Sequence, residues 1–363
     1  MMQIIQDRRA LHQIPELDRQ LSKTMDYLKN ALAPLSCQVF SPMRGALCAW
    51  FDFGEISAIA FRADMDALPI AEKNETDYAS RHPGQMHACG HDGHMAILLE
   101  LARRLDKLEN LSHNVLLVFQ PAEETTGGAK DLCETGIFRE YIVDAIFGLH
   151  LWPGLPAGVV YSRNGELMAR SCEVTVDIYG KSAHIAKAKD GVDALMAGAD
   201  FYRKAMEMEA SLPDHVFRLL KFGKFQSGTV RNALSAHTHM EGSLRAFQDV
   251  VFDGLSSGLD GIAREVKATY DCTISIHRNS GYPAVINPGF LYDWVARAVS
   301  FQELEEPCMT AEDFSWYQQY LPGMFFFLGT GDSPALHTDN FDFDDSILVK
   351  GADFFEALAK NFR

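Results

Sequence analysis

The sequence predicts an α/β fold in which a larger domain, with a mostly parallel sheet and helices on both faces, is interrupted by a smaller α+β domain. Strand-like and helix-like segments alternate up to about residue 168. Half-exposed strands and two long helices follow, which is typical of an antiparallel sheet covered on one face. From about residue 281 the first pattern returns. We therefore assign 1–168 and 281–363 to one domain and 169–280 to the insert.

The first segment contains the helices and buried strands expected of repeated βαβ units. Apolar side chains have helical spacing over 3–34. Two further helices are predicted at His94–Leu108 and Ala129–Glu134. Strands are predicted at Ala46–Phe53, Ile56–Arg62, Asn114–Phe119 and Asp144–Leu149. Parallel sheets bind ligands beyond the carboxyl ends of their strands, so polar residues after these strands are candidates for a functional site.

The insert and the returning segment have different patterns. Alternating strands of the insert are predicted at Cys172–Tyr179, Phe217–Lys224, His237–Arg245 and Thr273–His277. Its two helices are predicted at Asp193–Glu209 and Val251–Tyr270. The chain then returns to helix and strand over Pro288–Phe301, Ala311–Tyr320, Met324–Gly329 and Ile347–Asn361.

Composition argues against several classes of partner. The 363-residue chain has a net charge of −16 and no run of Lys or Arg that would offer nucleic acid a basic patch. No apolar stretch approaches the roughly 20 residues that span a bilayer, and the first residues lack the apolar core of a signal peptide. The 7 Cys are odd in number and dispersed, which fits reduced thiols. We expect a cytoplasmic protein without nucleic-acid or membrane partners.

The densest group of reactive side chains lies in the tract HACGHDGH at 87–94. Cys and His are ligands for zinc and similar divalent metals, and the single residue between Cys89 and His91 lets both side chains reach one ion. Asp92 is a candidate for holding an imidazole N–H behind the ligands. The alternative is a polar loop that caps a helix, with Asp92 as the N-cap.

Three other polar groups follow predicted strands or lie in the returning segment. Glu123 and Glu124 come just after a buried strand, where one carboxylate can bind metal while its neighbour accepts a proton from water. A solvated charge pair in a turn is the alternative. His150 ends another strand and His337 lies in the returning segment; either imidazole alone is more often part of the hydrogen-bonded framework. Together, these groups predict a metal site at one edge of the sheet.

The chain resembles the M20 metallopeptidase family, in particular its branch of aminoacylases, hippurate hydrolases, auxin-conjugate hydrolases and N-acetyldiaminopimelate deacetylases. The resemblance extends over nearly the whole chain, with the motifs in the family's order. HACGHDGH with QPAEE is the most specific pair. The matching motifs are RRALHQIPEL at 8–17, FRADMDALPI at 61–70, MHACGHDGH at 86–94, VFQPAEE at 118–124, GLHLWP at 148–153, GKSAH at 180–184, MTAEDFSWY at 309–317 and LHTDNFDFDD at 336–345.

This resemblance implies a set of site residues and a cofactor. It implies two divalent metal ions per subunit (Zn, Mn, Co or Ni) held by Cys89, His91, Glu124, His150 and His337. It implies that Glu123 is the general base. His184 matches a residue that enters the active site of the partner subunit in family dimers, which makes the insert a lid and dimerisation domain and the larger domain the metal-binding catalytic part.

The resemblance assigns supporting roles to four further residues. Asp64 and Asp66 occupy the place of a metal motif in other branches, and here we expect them to support the ligands from behind. Asn232 and Arg245 match positions near the substrate carboxylate, which a guanidinium can bind in bidentate fashion. For Arg245 the alternative is a surface residue of a strand.

One departure concerns the lid loop. The branch usually has a Gly pair before the His of its GKGGH motif and a Pro-His soon after it. This chain has Ser182-Ala183 and then IAKAKDGVD at 185–193. The departure bears on the shape and charge of the loop, and therefore on the range of substrates, and it leaves the predicted metal ligands intact.

The function expected from these features is metal-dependent hydrolysis of the amide bond of small N-acyl amino acids, by a homodimer. Three alternatives remain open. A dipeptidase or carboxypeptidase of the same fold would need an acidic anchor for the amino group of its substrate. A catalytically silent metal-binding relative would have no use for Glu123. A purely structural dimer would bind no metal.

Overall fold

The computed structural model describes residues 2–362, which form two compact units. The first comprises Met1–Leu167, Ile286–Glu306 and Asp313–Arg363, and the second comprises Met168–Val285 and Pro307–Glu312. The chain therefore passes between the units near residues 167 and 286, and the short segment Pro307–Glu312 also belongs to the second unit. The metal-binding and lid roles stay predictions.

The first unit is built on an eight-stranded sheet with the order β1-β2-β4-β3-β5-β14-β6-β13. Its centre, from β4 through β3 and β5 to β14, is parallel, so these strands present their carboxyl ends at one edge. The strands are β1 (Gln38–Phe40), β2 (Leu47–Phe51), β3 (Ala58–Asp64), β4 (Asn114–Gln120), β5 (Val143–Trp152), β6 (Val160–Ser162), β13 (Gln302–Glu303) and β14 (Gly323–Gly329). A separate pair is formed by β7 (Gly165–Met168) and β12 (Val285–Asn287).

Helices cover both faces of this sheet. On one face α1, α3 and α9 pack on each other over a core that includes Val115, Leu117 and Phe119 of β4. Leu116 and Val118 point to the opposite face and are equally buried, because successive residues of a strand alternate between faces. The helices are α1 (Met2–His12), α2 (Ser22–Leu32), α3 (His91–Leu105), α4 (Gly128–Glu134), α5 (Ile137–Glu140), α8 (Gly289–Ala298) and α9 (Leu348–Asn361), with 310 helices at Asp313–Gln319 and Asp345–Ile347.

The second unit is a four-stranded antiparallel sheet with the order β11-β8-β10-β9, covered on one face by two helices. Val174, Val176 and Ile178 of β8 pack into the same core as Phe201 and Leu259 of the helices. Polar residues alternate with them on the other face. The elements are β8 (Arg170–Tyr179), α6 (Ala194–Ala210), β9 (Arg218–Ser227), β10 (His237–Ala246), α7 (Asp249–Tyr270) and β11 (Thr273–Arg278), with a 310 helix at Ile185–Asp190.

The predicted fold class is confirmed, with two local differences. The helix expected from His94 begins at His91, because Gly90 in the left-handed conformation lets the chain turn directly into the helix. The segment expected as a helix at 311–320 is a 310 helix at Asp313–Gln319. Within residues 2–362, no helix has both the length and the apolar character needed to cross a bilayer.

Candidate metal centre

The candidate site lies at the carboxyl edge of the central strands of the first unit. β3 ends at Asp64, and β4 ends three residues before Glu123. His150 lies two residues before the end of β5, and His91 is the first residue of α3. Parallel strands bring these residues together although they are far apart in the chain. The site therefore follows from the sheet topology.

Two non-glycine residues at the site have a left-handed backbone conformation. Ala122, just before the two glutamates, has φ +61°, and His337 has φ +63°. Such conformations cost free energy for residues with a Cβ and persist where surrounding structure holds them. The N–H of His337 donates a hydrogen bond of 2.8 Å to the carbonyl of Ala88. This bond brings the returning segment beside Cys89.

The five residues predicted as metal ligands come together. His337 Nε2 lies 3.2 Å from Cys89 Sγ and 3.3 Å from Glu124 Oε1. His150 Nε2 lies 3.4 Å from the same sulfur, and His91 Nε2 lies 3.8 Å from Glu124 Oε1. Two triads share the sulfur, one with His91 and His150 and the other with Glu124 and His337; within each, the donor atoms lie within 4.8 Å of one another. Thiolate, imidazole and carboxylate at these separations suit zinc and related divalent ions.

Backbone carbonyls orient two of the imidazoles. His91 Nδ1 donates to the carbonyl of Asp66 at 2.7 Å, and His150 Nδ1 donates to the carbonyl of Leu151 at 2.7 Å. Each ring therefore directs the unprotonated Nε2 at the cluster, which is the form that binds metal. His91 Nε2 is buried and makes no hydrogen bond. Buried polar atoms without partners are rare, and a bound cation would satisfy this nitrogen.

The pKa shifts of the histidine and cysteine donors bear on metal binding. Burial lowers the pKa of His91 and lowers that of His150 well below its usual value, so both rings are neutral at neutral pH. Burial, with the nearby charge of Glu124, raises the pKa of the Cys89 thiol well above its usual value. A coordinated divalent ion reverses that shift because it stabilises the thiolate. The residues present thus fit a divalent metal.

Asp66 holds the backbone of the two glutamates. Its Oδ1 accepts the N–H of Glu123 at 2.9 Å, and its Oδ2 accepts the N–H of Glu124 at 3.1 Å. Burial and the charge of Glu124 raise the pKa of Asp66 well above its usual value. The carboxylate of Glu123 is buried and forms a group with His91 and Glu124 in which the oxygen and nitrogen atoms lie within 4.8 Å. Glu123 is therefore placed beside the donor atoms.

Asp64 is linked to the cluster through a histidine that sequence reasoning did not single out. His94 Nε2 accepts the N–H of Leu151 at 2.9 Å, so its Nδ1 carries the proton and donates to Asp64 Oδ1 at 2.6 Å. Asp64 Oδ2 binds Arg62 at 2.7 Å and lies 3.6 Å from His91 Nε2. The spacing of His94 from His91, one helical turn on, was the signal available in the sequence.

Asp92 differs from the prediction. It lies in the first turn of α3, and the N-cap is Gly90. Its Oδ2 binds Arg8 Nε and His12 Nδ1, each at 2.8 Å, so the imidazole that it holds is not one of the predicted ligands. The reason is the direction of its side chain, which points toward α1. Asp92 therefore anchors α1 to α3 through buried charges.

Three predicted residues lie in the second unit. His184 is exposed, its Nδ1 accepts the N–H of Ala186 at 3.2 Å, and its backbone pairs with Ala233. The carbonyl of Asn232 accepts the N–H of Ile185 at 3.0 Å. Arg245 on β10 is half-buried and donates to the carbonyl of Met309 at 2.8 Å. His184 and Asn232 are thus neighbours, and the roles predicted for all three stay predictions.

The fold and this cluster define a class of protein in which Cys, His and Glu donors meet at the carboxyl edge of an α/β unit that is interrupted by an α+β unit. Comparison with known families then gives the identity: the model of peptidase family M20/M25/M40 matches residues 60–361, and the chain belongs to this family. Its chemistry is in the class of amide- or peptide-bond hydrolysis. The resemblance found from the motifs is confirmed at this level.

Individual relatives agree with the family. An uncharacterized hydrolase of Staphylococcus haemolyticus is 32% identical over 374 residues, covering 99% of this chain and 98% of the relative. A solved structure from methicillin-resistant Staphylococcus aureus, provisionally described as an aminohydrolase, superimposes with a TM-score of 0.93 at 27% identity, covering 98% and 96% of the chains. A Bacillus subtilis protein, described as a dinuclear metal binding peptidase from the M20 family, has a TM-score of 0.86 at 29% identity, covering 99% and 97%.

Proposed function

We propose that this protein hydrolyses the amide bond of N-acyl amino acids with two divalent metal ions as cofactor. Cys89, His91, Glu124, His150 and His337 hold the ions. The observation that carries the proposal is the convergence of these donors around His91 Nε2, a buried nitrogen without a hydrogen bond, with Glu123 beside them. The dinuclear description of the Bacillus subtilis relative supports the number of ions. The unpaired state of the 7 Cys supports a reducing, cytoplasmic location.

The chain's own residues carry out the proton transfers. When bound, divalent ions polarise the amide carbonyl and lower the pKa of water at the site. Glu123 accepts a proton from the attacking water as its oxygen adds to the carbonyl carbon. Glu123 then delivers that proton to the amide nitrogen as the C–N bond breaks, which leaves a carboxylic acid and an amine. At neutral pH the proton of the acid passes to the amine, so the products leave as a carboxylate and an ammonium group. The hydrogen bond that the N–H of Glu123 donates to Asp66 holds Glu123 in position for both transfers.

The second unit supplies the remaining groups in this proposal. His184, from the partner subunit of a homodimer, donates a hydrogen bond to the oxyanion that develops on the carbonyl oxygen. Its exposure in the single chain is compatible with a role in another subunit. Arg245 and Asn232 bind the carboxylate of the amino-acid part.

A cleft beside the cluster fits the acyl group. Its volume is about 520 Å³, and Glu124 lies on its wall. Of the other lining residues, four are apolar and three are polar: Leu17, Ala67, Leu68 and Pro69, and Asp18, Thr125 and Thr126. An apolar wall next to a metal-binding carboxylate favours an uncharged acyl chain over a charged substituent.

The proposal is tested first by replacing Glu123 with glutamine. This variant should keep its metal content, because the five donors are unchanged, and lose turnover of N-acetyl and N-benzoyl amino acids by about 10² or more, as expected for a lost acid–base group. Glu134→Gln, at the exposed end of α4, is the matched control. Activity retained in Glu123→Gln would refute the assignment of the base.

The shared site is tested by mixing two inactive variants. His184→Ala keeps its own Glu123, and Glu123→Gln keeps its own His184. Subunit exchange between them should restore part of the turnover, because one of the two sites in a mixed dimer is then complete. If mixed dimers form and show no recovery, His184 does not act across subunits.

A dipeptidase is the second candidate, because the Bacillus subtilis relative is described as a peptidase and because the cleft offers an acidic anchor. Asp18 lines the cleft with Glu124, and its Oδ1 accepts a hydrogen bond of 2.6 Å from Thr125. A carboxylate there can bind the amino group of a dipeptide. A dipeptidase predicts faster hydrolysis of dipeptides than of the matching N-acetyl amino acids, and a selective loss of dipeptide hydrolysis in Asp18→Asn. An amidohydrolase for acyl substrates predicts the reverse preference.

A further inference from the structure

The face of the four-stranded sheet opposite its helices carries a cluster of metal-ligand side chains that the catalytic site does not use. His237 and His239 are two residues apart on β10, so both point to this face. Asp177 on the neighbouring strand β8 is paired with His239 in the antiparallel register. Paired positions hold their side chains close enough to interact. The cluster therefore follows from strand register, within one unit of the chain.

Two imidazole nitrogens converge on one carboxylate oxygen. His237 Nε2 lies 2.7 Å and His239 Nδ1 lies 2.8 Å from Asp177 Oδ1. The ligand atoms of the three residues all lie within 4.8 Å of one another. Zinc–ligand bonds of ~2.0–2.2 Å separate neighbouring donors by about 3.3 Å, so an ion requires the side chains to move apart by roughly half an ångström. Side chains that are partly exposed on a sheet surface can make this shift.

The carboxylate of Glu241 orients one of the rings. His239 Nε2 donates to Glu241 Oε1 at 2.7 Å, and the same oxygen accepts a bond of 2.7 Å from Lys224 Nζ. Because one proton of His239 is directed at Glu241, an ion that binds Nδ1 takes the place of the proton that Nδ1 directs at Asp177. A carboxylate that orients a metal-binding imidazole in this way is a recurring feature of metal sites. Asp177 and Glu241 together offset the charge that an ion brings.

An aromatic contact orients the other ring. The rings of His237 and Tyr179 are stacked, with centroids 4.8 Å apart and an angle of 13° between their planes. Tyr179 is the residue paired with His237 across β8 and β10. This stacking restrains rotation of the imidazole while Nε2 faces Asp177. Both histidines are thus oriented by side chains other than the carboxylate that they share.

We propose that Asp177, His237 and His239 form an accessory binding site for one divalent transition-metal ion of the zinc type, separate from the catalytic centre. Once an ion has displaced to solvent the protons directed at Asp177, two imidazoles and one carboxylate suit Zn²⁺, Ni²⁺ or Cu²⁺ better than Mg²⁺ or Ca²⁺, which prefer oxygen ligands. With three protein ligands, the remaining coordination positions face solvent. An ion here joins β8 to β10 by side-chain ligands in addition to their backbone hydrogen bonds.

The test is the metal content of the purified protein after equilibrium dialysis against Zn²⁺, measured by elemental analysis. The variants are His239→Ala, Asp177→Asn, and His215→Ala, which removes an exposed imidazole elsewhere in the same unit. Asp177→Asn keeps the size and hydrogen-bonding capacity of the side chain, so it guards against a folding defect in His239→Ala. Circular dichroism and hydrolytic turnover should match those of the unchanged protein in all three variants.

The expected result is about one Zn²⁺ fewer per chain in His239→Ala and in Asp177→Asn than in the unchanged protein. His215→Ala should bind as many ions as the unchanged protein. Ions at the catalytic centre are common to all four proteins and cancel in the comparison. Equal zinc content in the unchanged protein, His239→Ala and Asp177→Asn would overturn the proposal and identify the cluster as a hydrogen-bonded group of charges.

Discussion

Replacing Asp66 by alanine tests how the protein positions its two adjacent glutamates. The carboxylate of Asp66 is the acceptor for the N–H groups of both Glu123 and Glu124. The preceding residue, Ala122, is in a left-handed conformation that has to be held by its surroundings. Without the carboxylate, two N–H groups at the site lack this acceptor and the strained turn loses its anchor. We expect Glu123 to move from its catalytic position.

The magnitude follows from the two hydrogen bonds. A buried donor left without an acceptor costs about 1–3 kcal/mol, so two donors cost at least about 2 kcal/mol. If the whole cost raises the activation free energy of hydrolysis, kcat falls by at least about 30-fold, because each 1.36 kcal/mol corresponds to a factor of ten in rate. Asp66→Asn keeps one acceptor oxygen and leaves one donor without a partner, so its kcat should fall by at least about fivefold.

The assay is steady-state hydrolysis of the best N-acyl amino acid, together with metal analysis of each variant. Asp26→Ala, an exposed residue of α2, is the control for loss of a carboxylate from the same unit. Metal content should be unchanged in Asp66→Ala because the five proposed ligands remain. Unchanged kcat would refute the positioning argument.

Three further predictions concern stability. Burial lowers the pKa of His12, but the charge of Asp92 and then its hydrogen bond outweigh burial and raise this pKa from 6.5 to about 9. The resulting stabilisation is complete below pH 6.5 and is lost as the pH rises through 9. The unfolding temperature should therefore fall over this range in the unchanged protein and fall less in His12→Gln. Gly148→Ala should lower the free energy of unfolding by about 1–3 kcal/mol in urea titrations, because the added Cβ would lie 2.7 Å from Phe325 and 2.8 Å from Phe314; an unchanged midpoint would contradict this packing. Removal of metal by a chelator should lower the unfolding temperature, and return of Zn²⁺ should restore it, since a ligand that binds the folded state alone stabilises it; calorimetry that shows no difference would contradict metal binding.

The predicted ligands could be found from sequence because groups of metal-binding type are predicted at one edge of the sheet and match family motifs. The Cys and three His within eight residues, the two acids after a buried strand and the histidine at a strand end each have a structural alternative when taken alone. The link from Arg62 to Asp313, with an N···O distance of 2.9 Å, could not be found in this way. Those two residues are far apart in the chain, and either one alone is an ordinary charged residue near a strand or a 310 helix.

The sequence by itself determined the α/β class, because hydrophobic periodicity is a local property of each segment. It also determined the edge of the sheet where the donors meet, because parallel strands all present their carboxyl ends at the same edge. Tertiary structure alone decided which partner each polar group takes. Asp92 binds Arg8 and His12, and the imidazole that holds Asp64 belongs to His94. Hydrogen bonds and ion pairs depend on distances of a few tenths of an ångström and on side-chain direction. Those quantities are set only when α1, α3 and the sheet pack together.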